Sequence, residues 1–180
     1  MAGKFIQERH KALAPLERPR ELVVACAPLR SNINLSRIVR TAGCMGVTKV
    51  VCCGPAKVIE KIARNSFDRD DGGEADGDDA GSVIIENHRT LPPVLRELKA
   101  QGYALVGLEQ TTNSKSSFDF RFDRRSVLVV GNERSGLDEE SLALVTDVVE
   151  IPMFGLPYAL NVATATAMAL YEYCRQFPRG

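Results

Sequence analysis

The residues able to do chemistry gather in three short stretches of this chain. The first runs from Asn34 to Gly46. Its apolar positions Leu35, Ile38, Val39, Ala42 and Met45 recur at helical spacing, so Arg37 and Arg40 share the opposite face, three residues apart. Two cations so placed suit a polyanion; the plain alternative is a solvated helix face, and the spacing by itself favours it. Asn34, a turn and a half before Arg40, has the alternative of capping the helix. The second stretch, Gly131-Asn132-Glu133-Arg134-Ser135-Gly136, follows an apolar run and carries the acid Glu133 in what is also a tight turn. The third runs from Ile151 to Ala163, with Met153, Leu160 and Asn161 inside it. Asn161 too has the alternative of capping a helix. No histidine or cysteine is placed to serve these stretches as base or nucleophile. The two histidines, His10 and His88, lack metal-site spacing.

Elements that would carry these stretches alternate along the chain. Leu22–Ala27 and Lys49–Cys53 are apolar runs of strand length. Gly46 sits where a helix-terminating glycine belongs. Residues 57–64 suit a short helix and 83–86 a brief strand. Leu91–Gln101 is a helix with prolines in its first turn and Gly102 past its end. Strands are expected over 103–109, 126–131 and 148–151. Helices are expected over 138–145, with acids leading, and over 160–177. Strands buried on both faces and separated by helices predict an α/β fold, a mainly parallel sheet with helices on both faces. Its ligand would lie at the strand ends. No GxGxxG or GxxxxGK[ST] occurs, which removes the ordinary dinucleotide and P-loop readings.

Composition narrows the partners. At 180 residues the chain fits one domain. No apolar run of membrane-spanning length occurs, and residues 1–20 lack a hydrophobic signal core. Five cysteines without a CxxC pair read as reduced thiols of a cytoplasmic protein. The formal net charge is zero. Residues 68–79 nevertheless hold seven acids and one base, so that loop carries −6 and the remainder +6. Residues 1–20 hold five bases and two acids and read as a basic extension. A basic surface broken by one acidic, solvated loop suits a polyanion.

Taken in order and at their spacing, the three stretches resemble the signature motifs of the SpoU/TrmH family, the ribose-methylating branch of the SPOUT methyltransferases, across residues 21–176. The resemblance implies a C-terminal trefoil knot, one of the rare exceptions to unknotted topology. It implies S-adenosylmethionine as cofactor, a homodimer, and an RNA substrate, tRNA before rRNA. The phrasing of residues 102–110 with 131–134 is most similar to members acting on guanosine in the tRNA D-loop. By the same resemblance Arg40 is the central catalytic residue, with Asn34, Glu133 and Asn161 around it. Leu108, Gly131, Ile151, Met153 and Leu160 would hold the adenosine. A guanidinium resists deprotonation, so Arg40 is expected to orient a phosphate and stabilise a developing alkoxide. Glu133 is expected to fix a neighbouring loop or to pair with Arg40. The chain departs from the family at Ala159 and Ala163, where serines are usual. That departure keeps a noncatalytic RNA- or nucleotide-binding module as the rival reading; rRNA methylation is the alternative within the enzyme class.

Overall fold

The computed structural model describes residues 12, 14–67, 83–156 and 159–180. The acidic loop and most of the basic N-terminal stretch lie outside them.

Seven parallel strands form a single sheet: β1 (Leu22–Cys26), β2 (Lys49–Cys53), β3 (Ile84–His88), β4 (Ala104–Leu108), β5 (Lys115–Ser116), β6 (Ser126–Val130) and β7 (Asp147–Glu150). Their spatial order is β3-β2-β1-β6-β4-β7-β5. Five helices accompany them: α1 (Asn32–Cys44), α2 (Ala56–Phe67), α3 (Leu91–Ala100), α4 (Glu139–Leu144) and α5 (Val162–Gln176). Two-residue β5 escaped the sequence reading because it is too short to show any periodicity. The last helix begins at Val162 rather than 160, and the expected 83–86 strand runs Ile84–His88.

The apolar runs are continuous because each central strand is covered twice. Leu22, Val24, Cys26, Val50, Cys52, Val106 and Leu128 pack with Leu35, Ile38, Val39 and Ala42 of α1, Ile59 and Ile62 of α2, and Leu170 and Tyr173 of α5. The alternate residues Val23, Ala25, Val51, Cys53, Leu105, Val127 and Val129 pack with Leu91, Val94, Leu95 and Leu98 of α3, joined by Leu142 and Leu144 of α4. Helices therefore lie on both faces, and period-2 alternation decides which layer each strand residue joins. Each aliphatic side chain so buried contributes about 1.5–3 kcal/mol. Burial also pushes the Cys52 and Cys53 thiols up to about 12, which leaves them protonated packing groups. All five cysteines are unpaired.

Arg20 ties the layer of α1 and α5 together. It is 8% exposed. Its Nε donates to the Met45 carbonyl at 2.7 Å and its Nη1 to the Phe177 carbonyl at 2.6 Å. One guanidinium thus satisfies carbonyls at the C-terminal ends of both helices. No helix among the described residues is long and apolar enough to cross a membrane.

Candidate active site

The loops that follow β4, β6 and β7 meet at the carboxyl edge of the sheet, where ligands of open α/β sheets bind. They enclose a cleft of about 250 Å³. Leu108, Gly131, Ile151, Met153 and Leu160, the residues expected around an adenosine, all line it. Glu133 lines it as well. Asn34, Arg40 and Asn161 are not in its wall.

Close backbone contact shapes the floor. A Cβ on Gly131 would meet the Gly136 carbonyl carbon at 2.5 Å and the Leu137 nitrogen at 2.7 Å, so only glycine fits. Asn132 and Gly136 exchange backbone hydrogen bonds at 2.9 and 3.0 Å. Asn132 Oδ1 accepts from the Arg134 and Ser135 amides, and its Nδ2 donates to the Pro28 carbonyl at 2.6 Å. The turn is thereby closed on itself and fastened to the loop after β1.

Beside the cleft a directional hydrogen-bond chain joins all three motif stretches. Glu133 Oε2 accepts from the Arg30 amide at 2.8 Å, and Oε1 accepts from the Ser31 amide at 3.0 Å and from Asn34 Nδ2 at 3.1 Å. Asn34 Oδ1 then accepts from Asn161 Nδ2 at 3.1 Å. Asn161 Oδ1 accepts from the Ala163 and Thr164 amides at 2.9 and 3.4 Å, which caps α5. A carboxylate that only accepts stands at one end and helix amides that only donate at the other. Both asparagine amides are therefore fixed in orientation. Burial pushes the Glu133 carboxyl up. Hydrogen bonds from Arg30, its own backbone, Ser31 and Asn34 outweigh that and hold it below the usual carboxylate range.

Two open alternatives are decided here. Asn34 does not cap α1: Ser31 does, its hydroxyl accepting from the Asn34 amide at 3.2 Å, while the Asn34 side chain turns inward, 8% exposed. Glu133 does not pair with Arg40, because its oxygens are committed to the Arg30–Asn34 segment. Arg40 and Arg37 are exposed on α1 and make no hydrogen bond or ion pair among the described residues. Sequence reading missed Glu109, Gln110, Asn132, Arg134 and Glu150 in the cleft wall. Their signal was position alone, at the end of an apolar strand or in the loop that follows it. Ala159 lines the cleft, whereas Ala163 is buried.

The SpoU rRNA Methylase family matches the chain over residues 21–171. The chain belongs to that family. Among curated relatives, the tRNA (guanosine(18)-2′-O)-methyltransferase of Escherichia coli (strain K12) is 30% identical over 162 residues, which cover 88% of this chain and 65% of that protein. The chain thus spans just under two thirds of that relative's length. The crystal structure of the A. aeolicus TrmH/SpoU tRNA modifying enzyme superposes with a TM-score of 0.73 at 28% identity, covering 91% of this chain and 78% of that one. The SpoU methyltransferase AviRb from Streptomyces viridochromogenes, in complex with AdoMet, shares the fold with a TM-score of 0.70 at 24% identity, over 92% and 64% of the two chains. This SpoU-family chain keeps the cleft and the hydrogen-bond chain on one sheet edge.

Proposed function

We propose that this SpoU-family chain transfers a methyl group from S-adenosylmethionine to a ribose 2′-hydroxyl of RNA, with guanosine in tRNA as the favoured target. The observation that carries this is the convergence of Leu108, Gly131, Ile151, Met153 and Leu160 on one cleft beside the Glu133–Asn34–Asn161 chain. The naming of the E. coli and A. aeolicus relatives supports tRNA as the substrate. The wall suits the cofactor. Apolar side chains and backbone groups offer a slot for an adenine. Two acids, Glu133 and Glu150, with one arginine, Arg134, match a ligand bearing a sulfonium, an ammonium and a carboxylate. When bound, S-adenosylmethionine supplies an electrophilic methyl carbon.

The protein's own task is alignment and charge. The ribose oxygen must stand in line with that carbon as its proton passes to water; the new O–C bond replaces the C–S bond, and S-adenosylhomocysteine leaves. Arg40 holds the RNA phosphate and stabilises the oxygen as charge builds on it. Glu133, with three donors on its carboxylate, supports the site rather than carrying the proton. Asn34 and Asn161 keep α1 and α5 in register beside the cleft.

Arg40 lies outside the cleft wall, and we read it as serving the cleft of a second copy. The support is an exposed apolar surface on α1, on α5 and just ahead of α5: Ile33 at 65%, Tyr171 at 64%, Met168 at 45% and Leu160 at 40% exposure. A homodimer would cover it. The knot expected in the C-terminal part belongs to the same reading. It is supported by α5 packing under the segment after β5, where Gln176 Nε2 donates to the Phe120 carbonyl and Tyr173 Oη to the Arg124 carbonyl. Residues 1–20 would serve as a basic extension that widens contact with RNA, and five unpaired thiols suit the cytoplasm.

The test is calorimetry with S-adenosylmethionine, followed by methyl transfer to bulk tRNA and rRNA. Binding with labelled tRNA is the expected result. Transfer to rRNA alone would favour the other substrate class. Binding without transfer to either would favour the noncatalytic module, for which the alanine at position 159 speaks. No heat and no thermal shift at saturating ligand would remove the cofactor.

A further inference from the structure

Glu109 follows directly on β4, in the cleft wall next to Leu108. Its two oxygens do different things. Oε1 accepts from the neighbouring Gln110 amide at 3.1 Å, and Oε2 crosses to the next loop and accepts from the Leu137 amide at 3.1 Å. Gly136 lies directly against that carboxylate. A Cβ there would stand 2.3 Å from Glu109 Oε2, and Gly136 has a φ of +66°. Gly136 and Leu137 are in turn the atoms that press on Gly131. The contacts thus run from Glu109 through Gly136 and Leu137 to Gly131, the glycine whose backbone forms the cleft floor.

We propose that Glu109 is a positioning residue for the methyl-donor site: its carboxylate holds the 131–137 turn in the shape that presents the Gly131 backbone to the cofactor. This rests on the cofactor reading above. The turn is otherwise fastened from its far side, by Asn132 to Pro28 and by Glu133 to residues 30–34. Glu109 is the side-chain tie from the β4 side. Its work depends on reach and on an accepting oxygen rather than on charge, because both donors are neutral amides. Aspartate, one methylene shorter, keeps the charge and cannot span to Leu137. Glutamine keeps the length and one accepting oxygen.

Glu109→Ala, Glu109→Asp and Glu109→Gln separate these roles when each full-length protein is measured three ways. Isothermal calorimetry with S-adenosylmethionine reads affinity, thermal melting reads global stability, and amide hydrogen exchange over residues 132–137 reads the turn without any ligand. The expected result is a Kd raised on the order of tenfold in Ala and Asp, with Gln within about threefold of the parent. Exchange at Leu137 should speed up in Ala and Asp and stay slow in Gln. Melting temperatures should stay within about 3 °C of one another. Should Ala fail to fold, the Asp–Gln comparison carries the test. The proposal is overturned if Asp binds like the parent, if Gln is as weak as Ala, or if affinity falls only in step with global stability. If the parent itself does not bind, the cofactor reading has failed. The exchange data then still decide whether Glu109 holds the turn.

Discussion

At the scale of single residues, Glu133 is the group whose setting has the clearest consequence. It accepts three hydrogen bonds that an unfolded chain cannot supply, and its folded carboxyl titrates below the ordinary value of 4.5. As the pH falls, the unfolded chain therefore takes up this proton first. The stabilisation is fully present above about 4.5 and is lost as the pH drops through the lower folded value. Glu133→Gln should then melt below the parent at neutral pH, and the gap should narrow as the pH is lowered below 4.5. Melting curves across that range check it; a gap independent of pH would mean that the carboxylate's charge contributes nothing. Asn34 owes its place in the chain to carrying both a donating amide nitrogen and an accepting oxygen, a property that no hydrophobic or carboxylate side chain of that size shares.

At the scale of elements, α1 and α5 must keep their relative placement, since the Asn34–Asn161 hydrogen bond crosses between them. That bond is made near their N-terminal ends. Arg20 makes the corresponding tie at their C-terminal ends, through the Met45 and Phe177 carbonyls. Arg20→Ala leaves both carbonyls without this partner in a half-buried setting, at a cost of about 1–3 kcal/mol. The expected effect is a melting temperature lower by about 5 °C with little change in secondary structure. Thermal unfolding followed by circular dichroism measures both. An unchanged midpoint would show that water replaces the guanidinium without loss.

At the scale of the whole molecule, Arg40 and the cleft are separate within one chain, and the proposed dimer is what unites them. Arg40→Ala should abolish methyl transfer while leaving S-adenosylmethionine affinity nearly unchanged. Arg40→Lys should also be poor, because a point charge does not reproduce the planar fork. Gly131→Val should do the opposite and remove cofactor binding, since the turn leaves no room for a side chain. Mixed and re-equilibrated, the two inactive proteins should regain about a quarter of parental activity, because half of the random dimers would carry one complete site. Sedimentation should report about twice the 19.7 kDa chain mass. A monomer active by itself, or no recovery on mixing from proteins that exchange subunits, would place Arg40's target in its own chain.

Much of this was legible in the sequence because it depends on local periodicity. The continuous apolar runs at 22–26, 49–53, 104–108 and 126–130 gave strands covered on both faces. The helical stripe of α1 separated Arg37 and Arg40 from the core, and Gly131 and Ile151 could be assigned to strand ends. The two residues of β5 could not be found, since pairing with β7 and not their own pattern makes them a strand. Whether Asn34 caps α1 or serves the site stayed open in the sequence, because Ser31 and Asn34 are both capping types and only the tertiary fold supplies Glu133 and Asn161 as partners for the Asn34 side chain. Glu109 gave no signal for the same reason. An acid after a strand is unremarkable until a turn 28 residues away is brought to its carboxylate. The sequence by itself determines the longer strands and helices and the apolar stripes they bury, because those follow from neighbours a few positions apart. Which polar groups satisfy one another is decided only when the parallel crossovers bring distant strand ends to one edge, since a hydrogen bond depends on separation in space and not along the chain.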